Sequence, residues 1–468
     1  MNYKLRSLVA ATLAGSVFLG FATPAAADST TDIVNALVTK GVLTEEEGAL
    51  LTKGRANEAE VQKKKESGFA KGKVNIRGYM QLRNTTMLGG DEGVNLWSDR
   101  SVGDDTSLGD ADKNFLIRRA RIVLFGDVGD RLSYYIQPDL ASSAGSGQSN
   151  NVAQLRDAYG DVYITKDRVH RIRVGQSKVP YGFENLQSSQ NRLALDRVDA
   201  LNSAVRDERD LGAFYYYTPE NVSKLFEEIG KMGLKHSGNY GMLALGAYNG
   251  QGANQGDRND NYHIVARATY PWKTESGQIY EAGIQAYRGD YVSSTGAYNR
   301  TGGTVSSGTA VARTPTLENN RGVADERVGI SFMMYPQPFG LQAEWNWGNT
   351  PGLDIEKNII EEKSLNGGYV QAMYKIDNFK FMDTNGTLIP FIKWQYFDGY
   401  SKAERNSPEN HVNDWEAGVE WQIAPEVEIV AYYHKMKRSN LVTGNTSGRK
   451  DYETFDADAL RVQLQYNW

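Results

Sequence analysis

Leu460-Arg-Val-Gln-Leu-Gln-Tyr-Asn-Trp468 ends the chain, and its reading decides the fold. Leu460, Val462, Leu464, Tyr466 and Trp468 alternate without exception with Arg461, Gln463, Gln465 and Asn467. Successive side chains of an extended segment point to opposite faces, so one face is wholly apolar and the other wholly polar. The first suits lipid and the second suits water. The same alternation opens the strand-like region, where Val74, Ile76, Met80 and Leu82 interleave with Asn75, Arg77, Tyr79, Gln81 and Arg83. Strands are predicted near 73–84, 114–126, 131–140, 154–165, 170–179, 209–218, 238–249, 262–271, 278–290, 326–335, 339–348, 367–376, 387–398, 412–423, 426–437 and 458–468. That is about 16, an even number as single-chain bacterial barrels require. A further apolar stretch at 225–235 carries Leu225, Phe226, Ile229 and Met232 at helical spacing, which predicts a short helix within a turn.

The connections sort by length. Residues 127–130, 336–338 and 424–425 make tight turns, whereas 84–113, 291–324 and 438–457 are long and rich in Gly, Ser, Thr, Asn and Asp. Short turns at one end and long loops at the other are the anatomy of a transmembrane antiparallel β-barrel, and a soluble sandwich has no reason to separate them. Trp345, Trp347, Trp394, Tyr396, Trp415 and Trp421 fall on the apolar alternation, often near strand ends, where interfacial aromatic girdles sit.

The amino terminus sets the compartment. Lys4 and Arg6 precede an apolar run from Leu8 to Phe21 and small residues ending at Ala27, which predicts a cleaved export signal over 1–27. No later run approaches the roughly 20 apolar residues of a spanning helix, and mean hydropathy is -0.54, which excludes a helical membrane protein. Residues 31–40 and then Thr44-Glu-Glu-Glu47, a capping box, predict two short helices, and 55–65 reads as a charged spacer. The expected organisation is therefore a helical periplasmic segment over 28–70 and a barrel over 71–468, placed in the bacterial outer membrane. Contact with its lipid and lipopolysaccharide follows from that placement.

Chemistry for catalysis is absent from the pattern. There is no cysteine, the five histidines lack metal-ligand spacing, and neither a nucleophile elbow nor a phosphate loop occurs, so no enzyme, metal or cofactor is expected. A net charge of -5 excludes a broadly basic nucleic-acid binder. A channel is better supplied. Arg171-Ile-Arg-Val-Gly-Gln-Ser-Lys-Val-Pro-Tyr-Gly-Phe-Glu184 starts as a strand, and Pro180 and Gly182 break it into a polar excursion carrying Ser188, Ser189, Arg192 and Arg197. Such a segment predicts an infolded constriction loop. Alternation turns Arg77, Arg83, Arg119, Arg121, Arg171, Arg173, Arg267 and Lys393 inward, and Lys178, Arg192 and Arg197 join them from the loop. Asp157, Asp161, Glu281, Glu344, Glu416 and Glu420 are the inward acids. A basic early wall facing an acidic late wall fits two channels: a general or cation-preferring pore with a transverse field, or a basic ladder that passes anions. A plugged structural protein or adhesin is the rival outside both.

Several of these segments resemble the phosphate-selective porin family known from porins O and P. They are Arg118-Arg-Ala-Arg121, Leu155-Arg-Asp-Ala-Tyr159, Arg173-Val-Gly-Gln176 with Lys178-Val-Pro-Tyr-Gly-Phe-Glu184, Ser188-Ser189, Arg209-Asp-Leu-Gly212 and Tyr248-Asn-Gly250. The resemblance implies a homotrimer of barrels, each of sixteen strands with the loop after the fifth folded inside, passing small solutes and anions such as phosphate along basic side chains. Ser177 stands where that family usually has an aromatic, and Leu195-Asp196-Arg197 only loosely matches its apolar-Glu-Arg element.

Overall fold

A computed structural model describes residues 34, 37–40, 42–47, 74–91, 94, 113–143, 151–300, 311–441 and 452–468. The signal at 1–27 and the spacer at 55–65 lie outside these residues. The chain divides into two units, Met1–Lys71 and Gly72–Trp468. In the first, the capping box forms as read: the Glu47 carboxylate accepts the Thr44 N–H at 2.9 Å, and the Thr44 hydroxyl accepts the Glu47 N–H at 3.2 Å.

The second unit is a closed barrel of 16 antiparallel strands. They are β1 (Asn75–Gly90), β2 (Lys113–Val128), β3 (Leu132–Ser143), β4 (Asn151–Tyr163), β5 (His170–Lys178), β6 (Arg209–Tyr217), β7 (Leu243–Tyr248) and β8 (His263–Lys273). The rest are β9 (Ile279–Tyr291), β10 (Val323–Met334), β11 (Phe339–Asp354), β12 (Ile359–Tyr374), β13 (Thr384–Tyr400), β14 (Glu409–Ala424), β15 (Val427–Leu441) and β16 (Tyr452–Asn467). Each pairs with the next, and β16 pairs back to β1 through Tyr79↔Asn467 and Leu82↔Leu464. Closure leaves no strand edge with unpaired N–H and C=O groups. The short strands at 298–300 and 311–313 pair with each other in a separate sheet, whereas 316–317 and 376–381 are short additions to the wall, paired with β12 and β13.

All sixteen predicted strands are present, with instructive differences at their ends. β12 and β16 begin earlier than periodicity suggested, at Ile359 and Tyr452, because pairing such as Ser439↔Thr454 continues beyond the apolar alternation. β7 is short because Gly238 (φ 96°) and Gly241 (φ 81°) take the chain out of extended geometry. The helix read at 225–235 is α3, Glu220–Lys231; α1 (Phe183–Leu186) and α2 (Asp199–Asn202) lie in the loop after β5.

Alternation sorts the two faces of the wall. Ile76, Leu245, Ile264, Leu460 and Trp468 are exposed outside, while Gln81, Arg83, Arg461, Gln463 and Gln465 are buried inside. Outside, Trp345 and Tyr396 stack at 6.0 Å across Gly368, where a Cβ would come within 2.7 Å of the Trp345 backbone. The alternation slips once where it matters. Gln81 pairs with Arg119 but Leu82 pairs with Ile117, so Arg118 is the extra residue of a β-bulge. The bulge turns Arg118 toward the lumen carboxylate of Asp196, beside the inward Arg119.

Candidate functional site

The loop between β5 and β6, residues 179–208, runs inside the barrel. Gly182 (φ 82°) ends the strand direction, and Lys178 Nζ donates to the carbonyls of Leu186 (3.1 Å) and Gln187 (2.8 Å), folding the loop back over the strand end. The opposite wall holds its far side. Glu344 of β11 accepts the N–H groups of Phe183 (2.7 Å) and Glu184 (3.1 Å), which cover two free donors at the start of α1. Lys393 of β13 pairs with Glu184 at 2.5 Å, Arg327 of β10 donates to the Ala200 carbonyl at 3.0 Å, and Arg438 of β15 reaches Asp199 at 2.7 Å. The late-wall charges thus hold the loop in place.

Acids within the loop are each gripped by cations. Asp196 meets Arg461 at 2.7 Å, Arg83 at 3.0 Å and Arg118 at 3.9 Å. Glu208 meets Arg197 at 2.9 Å, Arg209 at 3.0 Å, Arg192 at 3.1 Å and Lys178 at 3.6 Å. Broken singly, such buried pairs leave an uncompensated charge, so they hold the loop in one arrangement.

A cavity of about 1230 Å³ remains on the early-wall side. Its wall carries Arg77, Tyr79, Arg121, Tyr135, Asp157, Tyr159, Arg173 and Arg209; the loop contributes Ser188 to Asn191, and Lys375, Asp377, Asn378 and residues 422–425 mark its mouth at the short-turn end. Eight Lys and Arg side chains line it against three carboxylates, Asp157, Asp377 and Glu428, so its lining is net basic. Rings and guanidinium groups alternate around it. Tyr135 and Tyr159 stack at 5.2 Å, Arg173 lies 3.7 Å from the Tyr159 ring centre, and Arg121 donates to the Tyr79 hydroxyl at 2.8 Å.

The eleven cations singled out by sequence separate into groups. Arg77, Arg121, Arg173 and Lys178 line the cavity. Arg121 is paired to Asp139 and Arg173 to Asp161, each at 2.7 Å, and Arg171 stands 3.8 Å from Asp161. Arg83, Arg192, Arg197, Arg267 and Lys393 lie off the cavity wall in ion pairs, with Arg267 on Glu281 at 3.3 Å. Two differ from the rest. Arg77 donates to the Tyr135 hydroxyl at 3.4 Å, and buried Arg119 donates to the Gln81 side chain at 2.8 Å; neither has a carboxylate partner among the described residues. Sequence reading missed Arg118, which regular alternation turns outward, and also Arg209, the first residue of β6, which regular alternation groups with exposed Leu211. Among the described residues no cluster of His, Asp and Glu is arranged to hold a metal ion.

Comparison with known proteins adds three kinds of finding. The family model described as phosphate-selective porin O and P matches residues 93–468. Comparison with curated proteins finds no match. Among solved structures, the outer membrane channel DcaP of Acinetobacter baumannii is similar with 14% identity and a TM-score of 0.47, covering 85% of this chain and 97% of that one. Outer-membrane expressed OmpT of Vibrio cholerae matches with 12% identity, a TM-score of 0.47 and coverages of 85% and 98%. The anion-selective porin from Comamonas acidovorans matches with 10% identity, a TM-score of 0.45 and coverages of 85% and 100%.

Proposed function

Since the chain belongs to the phosphate-selective porin O and P family, we propose that the channel it forms passes small anions, phosphate among them, in preference to cations. The chain is a porin of the bacterial outer membrane, a diffusion channel for small solutes rather than an enzyme.

The observation that carries the anion preference is the imbalance of partners along the early wall, the side on which the cavity runs. Asp139, Asp157, Asp161, Asp196, Asp207 and Glu208, acids of the early wall and loop, each stand within ion-pair distance of an arginine, whereas Arg77 and Arg119 have no carboxylate partner among the described residues. Paired charges largely cancel at a distance, and the uncancelled ones set the sign of the potential that an ion meets. Guanidinium N–H groups also suit the oxygen atoms of phosphate and carboxylate geometrically. Conduction further requires that an ion leave, and a few separated cations meet that need better than one deep site.

Arg77, Arg121, Arg173 and Lys178, which line the cavity, are the residues we assign to the permeant path together with buried Arg119 beside them on β2, and Arg83, Arg171, Arg192, Arg197, Arg267 and Lys393 to its framework. The homotrimer, contact with lipopolysaccharide and the division into 1–27, 28–70 and 71–468 belong to the same proposal. Proteoliposomes test it. Chloride and phosphate should leave vesicles containing the protein faster than potassium does under matched gradients; faster potassium efflux would overturn the preference, and no efflux of any ion would overturn the open channel.

A further inference from the structure

The lumen is also entered from the short-turn end. Residues 218–242, which join β6 to β7, include α3 and occupy 25 positions where a barrel turn is ordinarily short. One face of α3 carries Glu220, Lys224, Glu227 and Lys231 in exposed i,i+4 pairs. The other carries Val222, Phe226 and Ile229, and with Leu234 these are buried against Phe183, Leu193 and Leu195 of the infolded loop.

The wall beneath supplies an independent observation. Ile279, Met333, Met373, Ile389, Phe391 and Val430 point into the barrel from β9, β10, β12, β13 and β15, and all are buried in the same cluster. Apolar side chains facing lumen water are disfavoured, because their exposure to water costs free energy in proportion to the area exposed. Here the helix covers them. Polar ties complete the seat: Lys235 Nζ pairs with Glu420 of β14 at 2.5 Å, and the Lys235 and His236 carbonyls accept from Gln187 (3.4 Å) and Asn191 (3.5 Å) of the loop. Residues 230–240 then form one side of the cavity whose other side is the basic early wall.

We infer that segment 218–242 is a size-selecting plug. It fills the late-wall half of the turn-side mouth and, with the loop after β5, confines solutes to the path along β1 to β5; the inference rests on the diffusion-channel reading. Size exclusion is thereby separated from charge selection, since the plug's buried face is apolar and the path's lining is basic.

The experiment reads neutral sugars of increasing size by vesicle swelling, alongside single-channel conductance in potassium chloride. Phe226→Asp with Ile229→Asp should unseat α3, raise conductance at least twofold and admit sugars at least one unit longer than wild type admits. A barrel that folds, judged by its heat-modifiable migration, with unchanged conductance and cut-off would overturn the plug. Because the chain has no cysteine, adding Lys235→Cys with Glu420→Cys to that unseated variant supplies a second arm, in which a cross-link ties the segment back to β14. Cross-linked by a bifunctional thiol reagent it should return to the wild-type cut-off, and uncross-linked it should pass larger sugars; identical cut-offs in both states would also overturn the inference. Absence of chloride current from wild type would instead refute the channel itself.

Discussion

Replacing Arg77 and Arg119 with glutamine removes two lumen charges without stranding a carboxylate, since neither has one among the described residues. An anion passing about 6 Å from a unit charge gains ~0.7 kcal/mol at the dielectric of water, and a cation loses as much. Screening over a Debye length of about 8 Å in physiological salt reduces this to ~0.3 kcal/mol. The anion-to-cation ratio depends on twice that energy, so each guanidinium accounts for about threefold and the two together for about tenfold; displaced water and a lower local dielectric make these lower bounds. The assay is the permeability ratio from zero-current potentials in planar bilayers. Arg267→Gln with Glu281→Gln is the control, because it removes a buried pair 3.3 Å apart and leaves net charge unchanged. The ratio should fall about tenfold in the first variant and change less than twofold in the second. An unmoved ratio in the first, or a larger change in the control, would refute the assignment of selectivity to Arg77 and Arg119.

Leu464→Arg on the outer face of β16 should cost roughly 2–4 kcal/mol in urea unfolding from lipid vesicles, as expected of arginine near the bilayer midplane. Gln463→Arg, which alternation alone marks as tolerable, should also destabilise: Gln463 accepts Arg83 Nε and Nη2 at 3.2 and 3.0 Å, and the new guanidinium would face it; neutral behaviour would contradict that contact. Glu344→Ala leaves the N–H groups of Phe183 and Glu184 without their acceptor, at a cost of about 1–3 kcal/mol each, and should appear as rapid current fluctuation from a loosened loop, whereas a quiet channel would mean that the loop is held elsewhere. Burial, reinforced by neighbouring Lys235, lowers the pKa of His236 from its usual value. The native state then binds the proton less well than the unfolded chain, so the part of the α3 seat's stability that rests on neutral His236 is full above the ordinary histidine range and is lost as pH falls through the lowered pKa; conductance should rise on that acidification in wild type and stay flat in His236→Gln. Deleting 31–65 should leave conductance unchanged, and a folded deletion that fails to conduct would place that segment in the pore.

The strands were legible because each must satisfy lipid and water at once, and Leu460 to Trp468 shows how a period of two records both solvents in one segment. Closure followed from even count and loop sorting. The site was legible only in outline. Alternation placed Arg83, Arg267 and Lys393 on the inner face, yet it carries no information about Asp196, Glu281 and Glu184, which bind them from other strands and from the loop. One inserted residue was enough to bring Arg118 inward, since a bulge shifts the pairing register locally and leaves hydrophobic periodicity almost untouched. The helical spacing of Leu225, Phe226 and Ile229 announced α3, but not that its apolar face would meet Met333 and Phe391 inside the barrel. Local pattern fixes an element's type; its partner is set by distant residues.

The zero-current potential of the wild-type protein across a tenfold potassium chloride gradient tests the central claim most directly. Steady single-channel steps with a potential whose sign reports chloride as the more permeant ion are the predicted result. A potential of the opposite sign would contradict the basic path along Arg77, Arg119 and Arg121, and a silent bilayer with folded protein would contradict the channel.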